Sequence, residues 1–115
     1  MEPPWPDAEL AASREDAELV ISVSGDVDLA TAPGVEREMA ELMTEVGVEE
    51  VVIDLSRVGF LDSAGVRALV LAKRAAAARD LPLRVQSPSS QCRRILEVAG
   101  LTELFGLDDP PRTQD

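Results

Sequence analysis

The 115 residues contain no histidine and no tyrosine, and aromatic side chains make up only 3% of them. Without histidine, a serine or cysteine nucleophile lacks its usual general base, and zinc lacks its commonest nitrogen ligand. The single cysteine, Cys92, excludes an internal disulfide and any multi-cysteine metal site. The single lysine, Lys73, lies nearly three helical turns beyond Ser63, about 15 Å along a helix axis, which excludes a Ser-Lys pair within that helix. No apolar run approaches the ~20 residues that span a bilayer. The first residues carry no basic flank followed by an apolar stretch, so no signal peptide is expected. There is no Walker loop and no G-x-G-x-x-G, hence no nucleotide cradle. No cofactor and no metal are expected.

Positive charge is also scarce. Eleven Lys and Arg face 22 Asp and Glu, a net charge of −11, so nucleic acid and anionic membrane are poor partners. A cytoplasmic protein is expected. The charge is unevenly spread: up to Asp62 the only bases are Arg14, Arg37 and Arg57, whereas between Arg67 and Arg94 the only acid is Asp80. Hydrophobic content of 45% on so few aromatics implies one modest core of Val, Leu, Ile and Ala.

Residues 1–7, with Pro3, Pro4 and Pro6, read as an N-terminal tail in which Trp5 is mobile or loosely docked; 8–107 read as one domain and 108–115 as a C-terminal tail. An edge strand over Glu9–Ser13 and a firmer strand over Leu19–Ser24 make an antiparallel hairpin about a turn at Arg14–Ala17. Gly25-Asp26-Val27-Asp28 then forms a strand-end loop. Its alternating carboxylates fit hard-metal ligands, but no third and fourth oxygen ligands follow, and a solvated acidic turn is the simpler reading. Asp28 or Thr31 caps a helix in which Val35, Met39, Leu42, Met43 and Val46 form one apolar stripe ending at Gly47. Val51–Leu55 is apolar except for Asp54, a central strand covered on both sides. A helix follows from Val66 to Ala78. Leu81–Val85 is a further strand, with Pro82 placing it early or at an edge. Ser87-Pro88-Ser89 opens the last helix, which turns Cys92, Ile95, Leu96 and Ala99 inward and ends at Gly100, and Thr102–Leu107 make one more short helical turn. The order implies an α/β fold with a mixed, mostly parallel sheet of four to five strands, an N-terminal antiparallel hairpin and helices packed against it.

The chain is organised around Gly59-Phe60-Leu61-Asp62-Ser63-Ala64-Gly65-Val66, where a buried strand hands over to a helix. Ser63 there is either an N-cap or first-turn residue, or a hydroxyl presented for attack or modification. If the strands before Asp28 and before Asp62 are parallel neighbours, both loops share the sheet edge where open α/β folds bind their ligands. A phosphoryl group on Ser63 would then add about −1.5 to −2 charges beside Asp62, Asp28 and Asp26, a repulsive switch on a partner surface that requires no histidine.

Together Gly25-Asp26-Val27-Asp28, Val51-Val52-Ile53-Asp54-Leu55, Phe60-Leu61-Asp62-Ser63-Ala64-Gly65-Val66 and Ala99-Gly100-Leu101 resemble the STAS domain, and more narrowly the stand-alone anti-sigma factor antagonists of bacteria. The resemblance spans roughly residues 8–107 with the family's order and spacing. It implies a non-enzymatic switch. A partner that is both anti-sigma factor and ATP-dependent serine kinase binds the unphosphorylated form, phosphorylates Ser63 and lets go; a serine phosphatase resets it. It further implies that Asp28 and Asp62 lie near the contact surface, which the acidic loop extends to Asp26 and the serine's own loop to Ala64, Gly65 and Arg67. Two positions depart from the pattern: Ala64 stands where many relatives have a second serine, and Arg67 where many have a small residue, which bears on which partner docks. The family also leaves open an accessory subunit of a membrane transporter complex. A small serine-dependent enzyme is the least favoured reading, because histidine is missing.

Overall fold

A computed structural model describes residues 8–107. Trp5 and both expected tails lie outside these residues. The elements run β1 Glu9–Glu15, β2 Glu18–Val27, α1 Ala32–Leu42, β3 Glu50–Leu61, α2 Ser63–Ala77, β4 Leu83–Gln86 and α3 Ser90–Val98. Four strands form one sheet in the order β1-β2-β3-β4. β1 pairs antiparallel with β2, whereas β2–β3 and β3–β4 are parallel.

Alternation decides which face is buried. Leu19 and Ile21 of β2 meet Val51 and Ile53 of β3, which meet Leu83 and Val85 of β4, and all six are at most 3% exposed. Met39 of α1, Ala68, Leu69 and Ala76 of α2, and Cys92 and Leu96 of α3 complete the same cluster. Alanine on the inner face of α2 lets that helix approach the sheet closely. Burial pushes the Cys92 thiol above its usual value, so it behaves as a small core hydrophobe. Lys73, the one lysine, donates to the Leu83 carbonyl at 2.9 Å and ties α2 to β4.

The opposite face corrects one expectation. β3 is not apolar and covered on both sides: the second face carries Ser22, Asp54, Arg84 and Gln86, none of them buried, with Val52 the one fully buried residue. Arg84 reaches Glu18 at 3.7 Å and Glu50 at 3.6 Å across this face, exposed pairs of small energetic weight.

The strands are longer than the apolar pattern suggests. β2 continues through Gly25, at φ 92°, to Val27, and β3 runs on to Leu61. The register slips between Ser22 and Ser24 and again between Gly25 and Asp26, so two bulges absorb extra residues of β3. Asp26 is therefore a strand residue opposite Phe60, not a loop residue.

Three smaller differences have local causes. α1 stops at Leu42: past Met43 the Thr44 and Glu45 N–H groups reach back only three residues, to the Glu41 and Leu42 carbonyls at 3.1 and 3.3 Å, and the chain tightens into turns. Val46, expected on the apolar stripe, is 94% exposed. Ala99 is exposed and Ile95 only half-buried, because α3 sets Cys92 and Leu96 onto β3 and leaves Ile95 and Ala99 lining a groove beside α2. The segment after α3 makes the single helical turn expected, closed by the Phe105 N–H on the Leu101 carbonyl at 3.2 Å, but it also joins the core and the sheet edge: Phe105 is fully buried and its carbonyl accepts from the Val85 N–H at 3.0 Å along β4.

Asp54 yields a pH prediction. Desolvation raises its carboxyl pKa, but hydrogen bonds from the Ser56 N–H (2.8 Å), the Ser56 hydroxyl and Gln86, with the nearby Arg57 charge, outweigh it and hold the group below its ordinary value. A depressed folded pKa stabilises the fold above the unfolded value of about 3.9, and that stabilisation disappears as pH falls through the folded one. Thermal melts from neutral to acid pH should therefore show a smaller acid loss for Asp54→Asn than for the wild type. Parallel curves would contradict the assignment.

Candidate functional site

Because β2 and β3 are parallel neighbours, the turn after Val27 and the turn after Leu61 leave the same edge of the sheet. Asp62 joins them. Its Oδ1 accepts the Gly65 N–H at 2.9 Å, capping α2, and its Oδ2 accepts the Leu29 N–H at 3.2 Å across the two turns. The Asp62 N–H donates to the Val27 carbonyl at 3.3 Å. Asp62, not Ser63, is therefore the N-cap. Ser63 is the first helical residue and exposed, and its hydroxyl enters no hydrogen bond among the described residues. A serine hydroxyl freed from capping sits at the positive end of a 15-residue helix.

The other expected site residues divide by role. The Asp28 carboxylate is engaged within its own turn: Oδ1 accepts the Ala30 and Thr31 N–H groups at 3.0 and 3.1 Å, and the Thr31 hydroxyl lies 3.3 Å away. That hydroxyl donates to the Asp26 carbonyl at 2.8 Å and accepts the Asp28 N–H at 3.0 Å. Both capping expectations at α1 thus meet in one turn, with Asp28 supplying the side-chain acceptor although Thr31 is the N-cap. Asp26 pairs with Phe60, near Gly59. Ala64 is half-buried against the core. Gly65 is buried, and a Cβ there would overlap the Val27 carbonyl oxygen and fall 2.6 Å from Leu61 Cδ1. Arg67 is exposed and one helical turn beyond Ser63, on the same face. No group of three or more acids and cysteines capable of holding a metal occurs among the described residues.

The setting of Ser63 is less uniformly acidic than its sequence neighbours imply. Asp62 borders it, but a groove of about 420 Å³ between α2 and α3 opens beside both, lined by Asp62 and Ser63 themselves and by Leu61, Val66, Ile95, Val98 and Ala99, with Arg94 among them. Ser63 thus stands at a boundary between an acidic turn edge and an apolar groove with basic helical flanks. The groove, together with Leu29 at 79% exposure and Phe60 at 42%, was not readable as site from sequence. Val66 lies on a margin of the inner face of α2, where periodicity leaves core and exposed contact patch equally open, and Ile95 reads as inward; in the structure both line the groove.

Known proteins share this fold. The family model described as "Mlab, STAS domain" matches residues 10–107. An anti-sigma-B factor antagonist of Staphylococcus aureus is 25% identical over 100 residues, covering 87% of this chain and 92% of that one. The solved anti-sigma factor antagonist of Mycobacterium paratuberculosis superposes with a TM-score of 0.71 at 28% identity, over 86% of this chain and 83% of that one. The anti-sigma factor antagonist SpoIIAA, in its unphosphorylated form, shares the fold with a TM-score of 0.69 at 19% identity, over 83% and 84%. With the three helices, the serine-bearing junction and all but the first residue of the four strands inside the matched span, the chain belongs to the STAS domain family.

Proposed function

We propose that this protein is an anti-sigma factor antagonist. It binds an anti-sigma factor that is also an ATP-dependent serine kinase, frees the sigma factor, and is switched off when that kinase phosphorylates Ser63. The observation that carries the reading is Ser63 itself: exposed, relieved of capping by Asp62, first in its helix and next to an apolar groove. An anti-sigma-B factor antagonist and other anti-sigma factor antagonists among its relatives support the general role, and one of them is described in an unphosphorylated form. On this reading the chain is a regulator and not an enzyme, and it works in the cytoplasm. The partner face comprises Asp26, Asp28, Asp62, Ser63, Ala64, Gly65 and Arg67 with the α2–α3 groove. A serine phosphatase returns Ser63 to the binding form.

Incubating the chain with its kinase and ATP should add one phosphate at Ser63 and none to Ser63→Ala, read by mass spectrometry of peptides. Asp62 still caps α2 in that variant, so a lost phosphate cannot be ascribed to a lost helix end. Phosphate on Ser56 or Ser87 with Ser63 untouched would sink the assignment. Capture of a transporter ATPase in place of a kinase would move the chain to the transporter-accessory role.

A further inference from the structure

Leu29 is a large apolar side chain that the fold leaves in water at a fixed position. It is 79% exposed. Exposed leucines are ordinary on protein surfaces. What sets Leu29 apart is the backbone that carries it. Its own N–H is held by Asp62 Oδ2, and the turn around it is closed by Asp28 Oδ1 on the Ala30 and Thr31 N–H groups, by the Thr31 hydroxyl on the Asp26 carbonyl, and by the Ala32 N–H on the Asp28 carbonyl at 2.7 Å. The side chain is thus presented by a turn whose backbone is already ordered, which lowers the entropic cost of binding through it. The carboxylate that holds the Leu29 N–H also caps the helix of Ser63.

Resting on the function proposed above, we infer that Leu29 is a specificity anchor: it enters an apolar pocket on the anti-sigma partner, and that pocket has a basic rim. The rim follows from charge. Asp62 holds the Leu29 N–H, Asp28 precedes Leu29 in the same turn and Asp26 lies at the end of β2 just before it, and the sequence carries no base between Arg14 and Arg37. A partner pocket of like charge would repel this edge, and a neutral one would leave its carboxylates uncompensated. Burying one leucine in a desolvated pocket is the type of contact that dominates an interface, while the charges around it set orientation and rate.

Calorimetry tests this with the full chain and each purified kinase-type anti-sigma factor of the same genome. Leu29→Ala should weaken the tightest of these complexes by at least about tenfold, the effect of losing roughly 1.4 kcal/mol, and should narrow the gap between that partner and the others. Leu29→Met should retain most of the affinity. Val46→Ala removes an equally exposed residue beside the β1–β2 turn, where Arg14 holds the Val46 carbonyl, and should leave binding unchanged. Thermal melts of all three variants should match the wild type, since none of these side chains is buried. If the wild type binds and Leu29→Ala binds equally well, the anchor falls while the proposed function stands. If the wild type binds none of these kinases, both fall.

Discussion

Ser63→Asp is expected to weaken binding to the anti-sigma partner by about 100-fold or more, while Ser63→Ala leaves it close to wild type. Ser63 is exposed on the first turn of α2, so neither change disturbs packing, and the difference between them isolates charge. An added carboxylate lies next to Asp62, whose two oxygens are committed to the Gly65 and Leu29 N–H groups and cannot turn away without releasing a cap and a turn. Like charges brought together at an interface cost several kcal/mol, and each 1.4 kcal/mol is tenfold in affinity. Arg67, one turn along the same face, and Arg94, in the groove, moderate the penalty in the free protein. They do so less once a partner covers them, so the switch acts mainly on the complex. Calorimetry at two salt concentrations checks this: the Ser63→Asp deficit should shrink as salt rises, because screening weakens exposed repulsion. Equal affinities for the Asp and Ala variants would overturn a repulsive switch.

Gly65→Ala is expected to be the most damaging single-methyl change near the site. The added Cβ meets the Val27 carbonyl oxygen, lies 3.1 Å from the Val27 carbonyl carbon and 2.6 Å from Leu61 Cδ1. Leu61 can shift its side chain, but Val27 is backbone in the β2–β3 ladder, and its carbonyl also accepts the Asp62 N–H. Relief therefore requires moving the start of α2 off the end of β2, which disturbs the turn that presents Ser63. Overpacking of this kind costs on the order of 3 kcal/mol, and a domain of this size loses about 4–8 °C of Tm per kcal/mol. A Tm drop of about 12–24 °C should follow. Gly34→Ala is the internal comparison. It lies in α1 with nothing within 4 Å of its Cβ, so the better helix former should hold or raise Tm. Equal melting of the two variants would show that the close approach at Gly65 is not a constraint.

Gly65 also marks how far the sequence was legible. Its place after Asp62 and Ser63 read as a strand-to-helix junction, and helix α2 begins there. The contact that requires glycine is with Val27, 38 residues earlier in the chain, and nothing local announces it. The same holds for the cap. Serine and aspartate are both good N-caps, so composition could not choose between Asp62 and Ser63; the choice follows from Asp62 having a second acceptor oxygen to spend on Leu29. Val46 departs from its expected place for a related reason, because helical spacing continues past Leu42 on paper while the backbone tightens into three-residue turns at Thr44 and Glu45.

By itself the sequence determined the α/β order, the parallel pairing after a hairpin, most of the core, the absence of histidine-based chemistry and the strand-to-helix junction that holds Ser63. These follow from period, turn residues and composition, all of which act over a few neighbouring positions. Tertiary structure alone decided that Asp62 carries the cap and so frees the serine, that two bulges keep Asp26 in a strand opposite Phe60, and that Val66 and Ile95 face an open groove. Each of those depends on which distant backbone atom lies within bonding or van der Waals reach, and only the packed chain specifies that distance.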